Sequence, residues 1–198
     1  MTGTLPWYIA RAAGLVAWAL LAAATLWGLA LSTKSPRKAL GSRPRPNWLL
    51  DMHRWLGGTA LAFTGVHVIA LLADQYTHFG PTSILIPFAA TWHPVAVAWG
   101  VVAFYLLLAV ELTSLARSQL SKKAWRRVHT ASFVLFVTAT IHGLSAGTDT
   151  KSAAGRIIAL AVCTVFVGLT AVRVSEVARS RTAVSSPAAA RREMLLKR

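Results

Sequence analysis

The chain has 198 residues, of which 55% are hydrophobic and only 14% charged, and it carries a formal net charge of +15 at pH 7. Soluble domains average about 25% charged residues, so this composition speaks against a soluble globular domain. The positive charge does not point to nucleic acid either, because the basic residues fall between apolar runs and at the C-terminal end.

Five apolar runs follow one another at about 7–31, 52–73, 94–116, 124–145 and 155–177. Each approaches or exceeds the ~20 residues that a helix needs to cross a hydrocarbon core. The expected fold is an all-α membrane protein, a bundle of five transmembrane helices in a lipid bilayer, and not a signal peptide followed by a soluble domain. The first run lacks a basic start and a small-residue cleavage site, and is too long for a leader. Arg11 lies only four residues into that run; an arginine at such depth snorkels to the interface or has a partner, and a partner is expected.

The remaining cations set the orientation. Lys34, Arg37, Lys38, Arg43, Arg45 and Arg54 lie at the junction of the first two runs, and Arg117, Lys122, Lys123, Arg126 and Arg127 at that of the third and fourth. Arg173 and the tail supply the rest, so that of 21 basic residues only Arg11, Lys151 and Arg156 fall on the opposite side. The positive-inside rule then puts the N-terminus outside and the C-terminus in the cytoplasm. Segment 178–198, rich in Ala, Ser and Arg, is expected to be a disordered cytoplasmic tail or to lie on anionic lipid. It is too short for a flavin or nucleotide domain, and no glycine-rich phosphate loop follows a strand. Cys163 stands alone, which excludes an intramolecular disulfide or a cysteine metal site and fits a small buried hydrophobe.

Four of the six histidines fall inside apolar runs, as two pairs: His53 with His67 in the second run and His129 with His142 in the fourth. Separations of 14 and 13 residues correspond to about 20 Å along a helix. One histidine of each pair therefore falls near each face of a core about 30 Å thick. The second and fourth helices run in the same direction, so His53 shares the inner level with His129, and His67 the outer level with His142. Each level offers two imidazoles, the axial set of one haem. Two stacked haems between helices two and four, serving electron transfer, are the expectation. A non-redox permease using the same histidines is the competing class, although it would more often show interrupted spans. A respiratory cytochrome b-type, quinol-linked subunit is a third.

The neighbours fit this expectation. On the second helix His53, Gly57, Ala60, Thr64 and His67 form one stripe, with small residues that would admit a flat macrocycle or a neighbouring helix. Arg54, Arg126 and Arg127 flank the inner histidines, while Arg11 and Arg156 lie at the outer level, where haem propionates would need cations. On an ideal helix the 14-residue spacing falls about 40° short of whole turns but the 13-residue spacing about 140° short. Either helix four is distorted, near Thr138, Thr140 or at a bulge, or the two haems meet it from different sides. The outer connection, 74–93, reads as an interfacial lid with Tyr76, Phe79, Phe88 and Trp92 at headgroup level. Asp74 and His78 would instead share one turn if that stretch were helical, and the role of His78 and His93 stays open.

This pattern of histidines on alternate helices resembles the ferric reductase-like transmembrane domain, the superfamily of NADPH oxidases, eukaryotic ferric reductases and the membrane subunit of bacterial methionine sulfoxide reduction. The strings AWRRVH at 124–129, FVLF at 133–136, IHG at 141–143 and ARA at 10–12 carry the rest of the likeness. The resemblance implies two b-type haems with His53, His67, His129 and His142 as axial iron ligands, an aromatic near Phe136 between the haems, and Arg11 close to the outer one. Leu71 stands where the oxidases have a further outer-pocket histidine, which argues against oxygen reduction. The flavin–NADPH module is missing from the likeness, so electrons would come from a separate reductase, a flavin held by a partner or at a peripheral site, or a quinol. They would pass to an extracytoplasmic acceptor such as a ferric chelate or a partner protein.

Overall fold

The computed structural model describes residues 4–33, 47–75 and 78–184. The cations of 34–46, Tyr76 and the tail from 185 on lie outside the described residues. Among the described residues seven helices follow in order: α1 (Leu5–Ser32), α2 (Asn47–Ala73), α3 (Pro81–Leu85), α4 (Pro94–Leu115), α5 (Lys122–Thr130), α6 (Ser132–Ala146) and α7 (Ala153–Val184). Single 3₁₀ turns lie at Arg117–Gln119 and Asp149–Lys151.

Among the described residues five helical segments are long and apolar enough to cross a membrane: α1, α2, α4, α5 with α6, and the stretch of α7 from Ala153 to Arg179. The chain is thus an integral, multi-pass membrane protein. Large apolar side chains such as Ile69, Leu115 and Leu160 are exposed on its flanks, where acyl chains take the place of water. Proline stands in the first turn of α1, α3 and α4, where its missing N–H costs no intrahelical bond. The fifth helix runs on to Val184, past the expected end of its span near 177, so the start of the basic tail continues the helix.

The fourth span is broken, and the break accounts for the 13-residue spacing. Ala131 separates α5 from α6, and its N–H bonds the Val128 carbonyl at 2.9 Å, one residue short of the α-helical partner. This tightened turn re-aims the α5 segment carrying His129 relative to α6 carrying His142. Helix four is therefore distorted, at Ala131. Thr138 and Thr140 lie inside continuous helix, each returning its hydroxyl to a carbonyl one turn back.

The spans assemble as two hairpins. α1 packs along α2, and α4 packs along α6, whereas α2 and the fourth span scarcely touch. The seam between hairpins is bridged at mid-depth by Leu21, Ala60, Ala103, Leu107 and Leu135, one or two residues from each of the first four spans. α7 lies against α1, with Phe166 packed on Ala22, Leu29 and Phe136. Side chains pin the bundle across helices: Trp18 Nε1 donates to Thr140 Oγ1 at 3.1 Å, Trp27 Nε1 to the Leu49 carbonyl at 2.9 Å and Arg173 Nη1 to the Ser32 carbonyl at 2.8 Å.

The outer connection folds as a cover. Phe79 is buried against Trp92, with ring centres 6.2 Å apart, and Tyr105 Oη donates to the Leu85 carbonyl at the end of α3. α2 ends at Ala73, so Asp74 and His78 do not share a helical turn. His78, Phe88 and His93 all adopt positive φ, a strained conformation for side chains of this size, and all three sit in this connection.

Candidate functional site

The structure brings the four intramembrane histidines together as two facing pairs. The ring centres of His53 and His129 are 6.0 Å apart with planes at 80°; those of His67 and His142 are 6.4 Å apart at 77°. A metal–imidazole bond of about 2 Å and a further ~1 Å from nitrogen to ring centre, taken twice on a line, come to roughly 6 Å. Both pairs are thus spaced for one metal atom between two imidazoles. Among the described residues no group of three or more His, Cys, Asp or Glu converges. A metal here would have to bring its other ligands with it, as a porphyrin iron does. The residues present fit a haem at each level.

The outer pair is oriented by the backbone. His67 Nδ1 donates to the Ala10 carbonyl at 2.7 Å, and His142 Nδ1 to the Ala96 carbonyl at 2.8 Å. A carbonyl only accepts, so Nδ1 carries the proton and Nε2 is left as the ligating nitrogen. Each of these carbonyls lies one helical turn before a glycine, and the ring sits on that glycine. A Cβ on Gly14 would lie 2.8 Å from His67 Nδ1, and one on Gly100 would lie 2.7 Å from His142 Cε1. The third ring follows suit: a Cβ on Gly28 would lie 3.0 Å from His53 Cε1. Ala24 stands one turn before Gly28, as Ala10 does before Gly14, but His53 Nδ1 has no hydrogen-bond partner among the described residues.

These glycines were not singled out from the sequence. Gly14 and Gly28 are 14 residues apart on the first run, the same interval as His53 and His67 on the second. In an antiparallel hairpin that equality is a signal. Glu111, the one acidic residue of the third apolar run, also went unremarked. Its carboxyl occupies the space beside Gly57 that a Cβ would fill, so the gap at Gly57 admits a side chain of α4.

Phe136 is 1% exposed but sits with Phe166 at 4.5 Å, on the side of α1 and α7; the fourth span places Leu135 in the layer between the histidine levels. The two are adjacent on a helix and point about 100° apart, which a string such as FVLF does not resolve. Ala60 lies in that same middle layer and is fully buried. Thr64 lines a cavity of about 1290 Å³ that opens at the outer level.

That cavity is walled by His67, His142, Arg11 and Asp149, with Trp92 and His93 from the cover. Arg11 has the partner its depth called for. Its guanidinium makes two hydrogen bonds to the Asp149 carboxylate, one of them Nε to Oδ2 at 2.7 Å. Those bonds and the positive charge hold the Asp149 carboxyl below the usual carboxylate range. Because Ala10 receives His67, Arg11 stands at the level of the outer pair.

At the inner level Arg54 is exposed and reaches Asp51 at 3.2 Å. Arg126 and Arg127 share a shallow surface groove with Lys122, Lys123 and Thr130. Trp125 stacks on His129 at 4.8 Å, with the Arg117 guanidinium over the indole at 4.6 Å. Arg156 is exposed near the outer end of α7.

A bundle of membrane-spanning helices with facing pairs of imidazoles at two depths defines the class, a multi-pass membrane protein with histidines paired in its interior. The family model for the ferric reductase like transmembrane component matches residues 13–140, more than half of the chain, and the chain belongs to that family. Comparison with curated proteins and with solved structures finds no match. Membership of the family suggests transmembrane electron transfer.

Proposed function

We propose that the protein is a di-haem b-type cytochrome that carries electrons from a cytoplasmic or membrane donor to an extracytoplasmic acceptor. The observation that carries this reading is the pair of imidazole–imidazole spacings, 6.0 and 6.4 Å, at two depths. His53 and His129 would hold the inner iron, and His67 and His142 the outer one. The haems supply the one-electron chemistry; the chain supplies ligands, orientation and a low dielectric. Arg11 would pair with an outer propionate beside Asp149, and Arg54 and Arg126 with the inner propionates.

The donor is a separate reductase, a flavin held by a partner or peripherally, or a quinol. The groove of Lys122, Lys123, Arg126 and Arg127 favours an acidic partner at the inner face. A ferric chelate or an extracytoplasmic protein is the acceptor, meeting the outer cavity. A metal permease is the weaker reading, because a pair of imidazoles without a third donor makes a poor site for a bare ion in transit.

The test is a pyridine haemochrome assay on the purified protein, with an expected ratio of two haems per chain. His53→Ala or His129→Ala should remove one haem and leave the other, and His67→Ala or His142→Ala should do the converse. A folded protein expressed with ample haem that shows no Soret absorption would sink the proposal and return the permease reading to the front.

A further inference from the structure

We infer that Ser114 Oγ is the hydrogen-bond acceptor for His129 Nδ1 and orients that ring at the inner level, the place that glycine and backbone carbonyl hold at the two outer rings. The inference rests on the proposed reading of His129 as an inner haem ligand and goes beyond it in naming what fixes that ligand.

The argument is one of layers. On each of the first four spans a residue of the middle layer stands six or seven positions from both histidine levels. Leu21 is flanked by Gly14 and Gly28, and Ala60 by His53 and His67. Leu135 is flanked by His129 and His142, and Leu107 by Gly100 and Ser114. Gly14, Gly28 and Gly100 each receive a histidine ring. The fourth corner of this scheme belongs to Ser114, opposite the fourth ring, and α4 packs against α5. Fourteen residues are close to four helical turns, so Ser114 lies on the face of Gly100, whereas Thr113 lies away from it. Thr113 turns its hydroxyl back along its own helix, donating to the Ala109 and Val110 carbonyls.

The polar groups agree with this register. Ser114 Oγ and His129 Nδ1 are both buried, and neither has a hydrogen-bond partner among the described residues. Buried polar atoms are rarely left so. The serine Cβ closes the route that glycine leaves open to the carbonyl one turn earlier, here Val110, and its hydroxyl offers an acceptor in exchange. The other groups around the ring cannot serve. The Trp125 indole and the Arg117 guanidinium donate only.

An acceptor on Nδ1–H makes an imidazole a more basic ligand and favours ferric iron. The experiment is a potentiometric titration of the haem-loaded protein in lipid nanodiscs, comparing wild type with Ser114→Ala and Ser114→Gly. Ser114→Ala should raise the inner midpoint and leave the outer one in place. Ser114→Gly reopens the Val110 carbonyl and should bring the inner midpoint back toward wild type. Unchanged midpoints in Ser114→Ala, equal shifts of both haems, or loss of the inner haem in both variants would each overturn the inference. A wild type that binds no haem would instead overturn the proposed function, so the two failures are distinguishable.

Discussion

Gly14 and Gly100 contribute no side chain, yet they decide where His67 and His142 stand. Gly100→Ala would put a methyl group 2.7 Å from the His142 ring, closer than packed atoms approach, and the ring cannot retreat without giving up the Ala96 carbonyl. We predict that Gly100→Ala and Gly14→Ala each cost the outer haem and spare the inner one, so that haem content falls from two to one. Gly143 adjoins His142 in sequence, but a Cβ there meets nothing within 4 Å; Gly143→Ala should retain both haems. Of the site itself, the four paired histidines were legible because a histidine in an apolar run is costly and stands out. The glycines were not, because a glycine in a membrane helix is common and gains meaning only from the ring opposite.

Arg11 and Asp149 behave as a unit. The folded-state pKa of Asp149 lies below its unfolded value, so its contribution to stability is present above the unfolded carboxylate pKa and is lost as pH falls through the lowered one. Thermal unfolding of wild type and Asp149→Asn should therefore differ at neutral pH and converge in acid, below the ordinary carboxylate range. Redox titration gives an independent check. A cation near a haem disfavours the oxidised state, so Arg11→Ala should lower the outer midpoint alone. Equal movement of both midpoints would mean that Arg11 only ties α1 to the Asp149 turn.

Among the elements, the fourth span departs furthest from a plain membrane helix. Its first piece, α5, is nine residues long and mostly exposed, and it is held by the Ser121 cap, whose Oγ accepts from the Ala124 N–H at 3.2 Å. Replacing such a cap by alanine costs about 0.5–2 kcal/mol. Ser121→Ala should accordingly loosen α5 and release the inner haem at a lower denaturant concentration than wild type, with the outer haem following the wild-type curve. The spans were legible in the sequence to within a few residues at most ends, since length and hydropathy set them. The break at Ala131 was legible only as an angular misfit. A 13-residue spacing shows only that the two histidines do not share one stripe of an ideal helix, while the position of a distortion depends on which turn yields under packing.

At the scale of the whole molecule, the charge asymmetry and the apolar flanks act together. In sequence all but three of the cations fall at the same set of span ends, and the positive-inside rule leads us to propose that α5 and the end of α7 face the cytoplasm. A reporter fused at the C-terminus should be active only when it is of the cytoplasmic kind. Activity of a periplasmic reporter there would exchange the inner and outer labels and reverse the direction of electron flow.

The middle layer of Leu21, Ala60, Ala103, Leu107 and Leu135 has a consequence for energetics across the bilayer. Its side chains are aliphatic, and on the proposed reading an electron crosses it. The histidine levels lie about 20 Å apart in a core of about 30 Å, so each transfer moves one charge through some two-thirds of the membrane field. At about 2.3 kcal/mol per charge per 100 mV, a resting potential negative inside assists outward transfer by roughly 1.5 kcal/mol per 100 mV. The protein would then act as a voltage-dependent resistor, discharging the membrane potential as it delivers reducing equivalents, and a collapse of that potential would slow it before any substrate ran short.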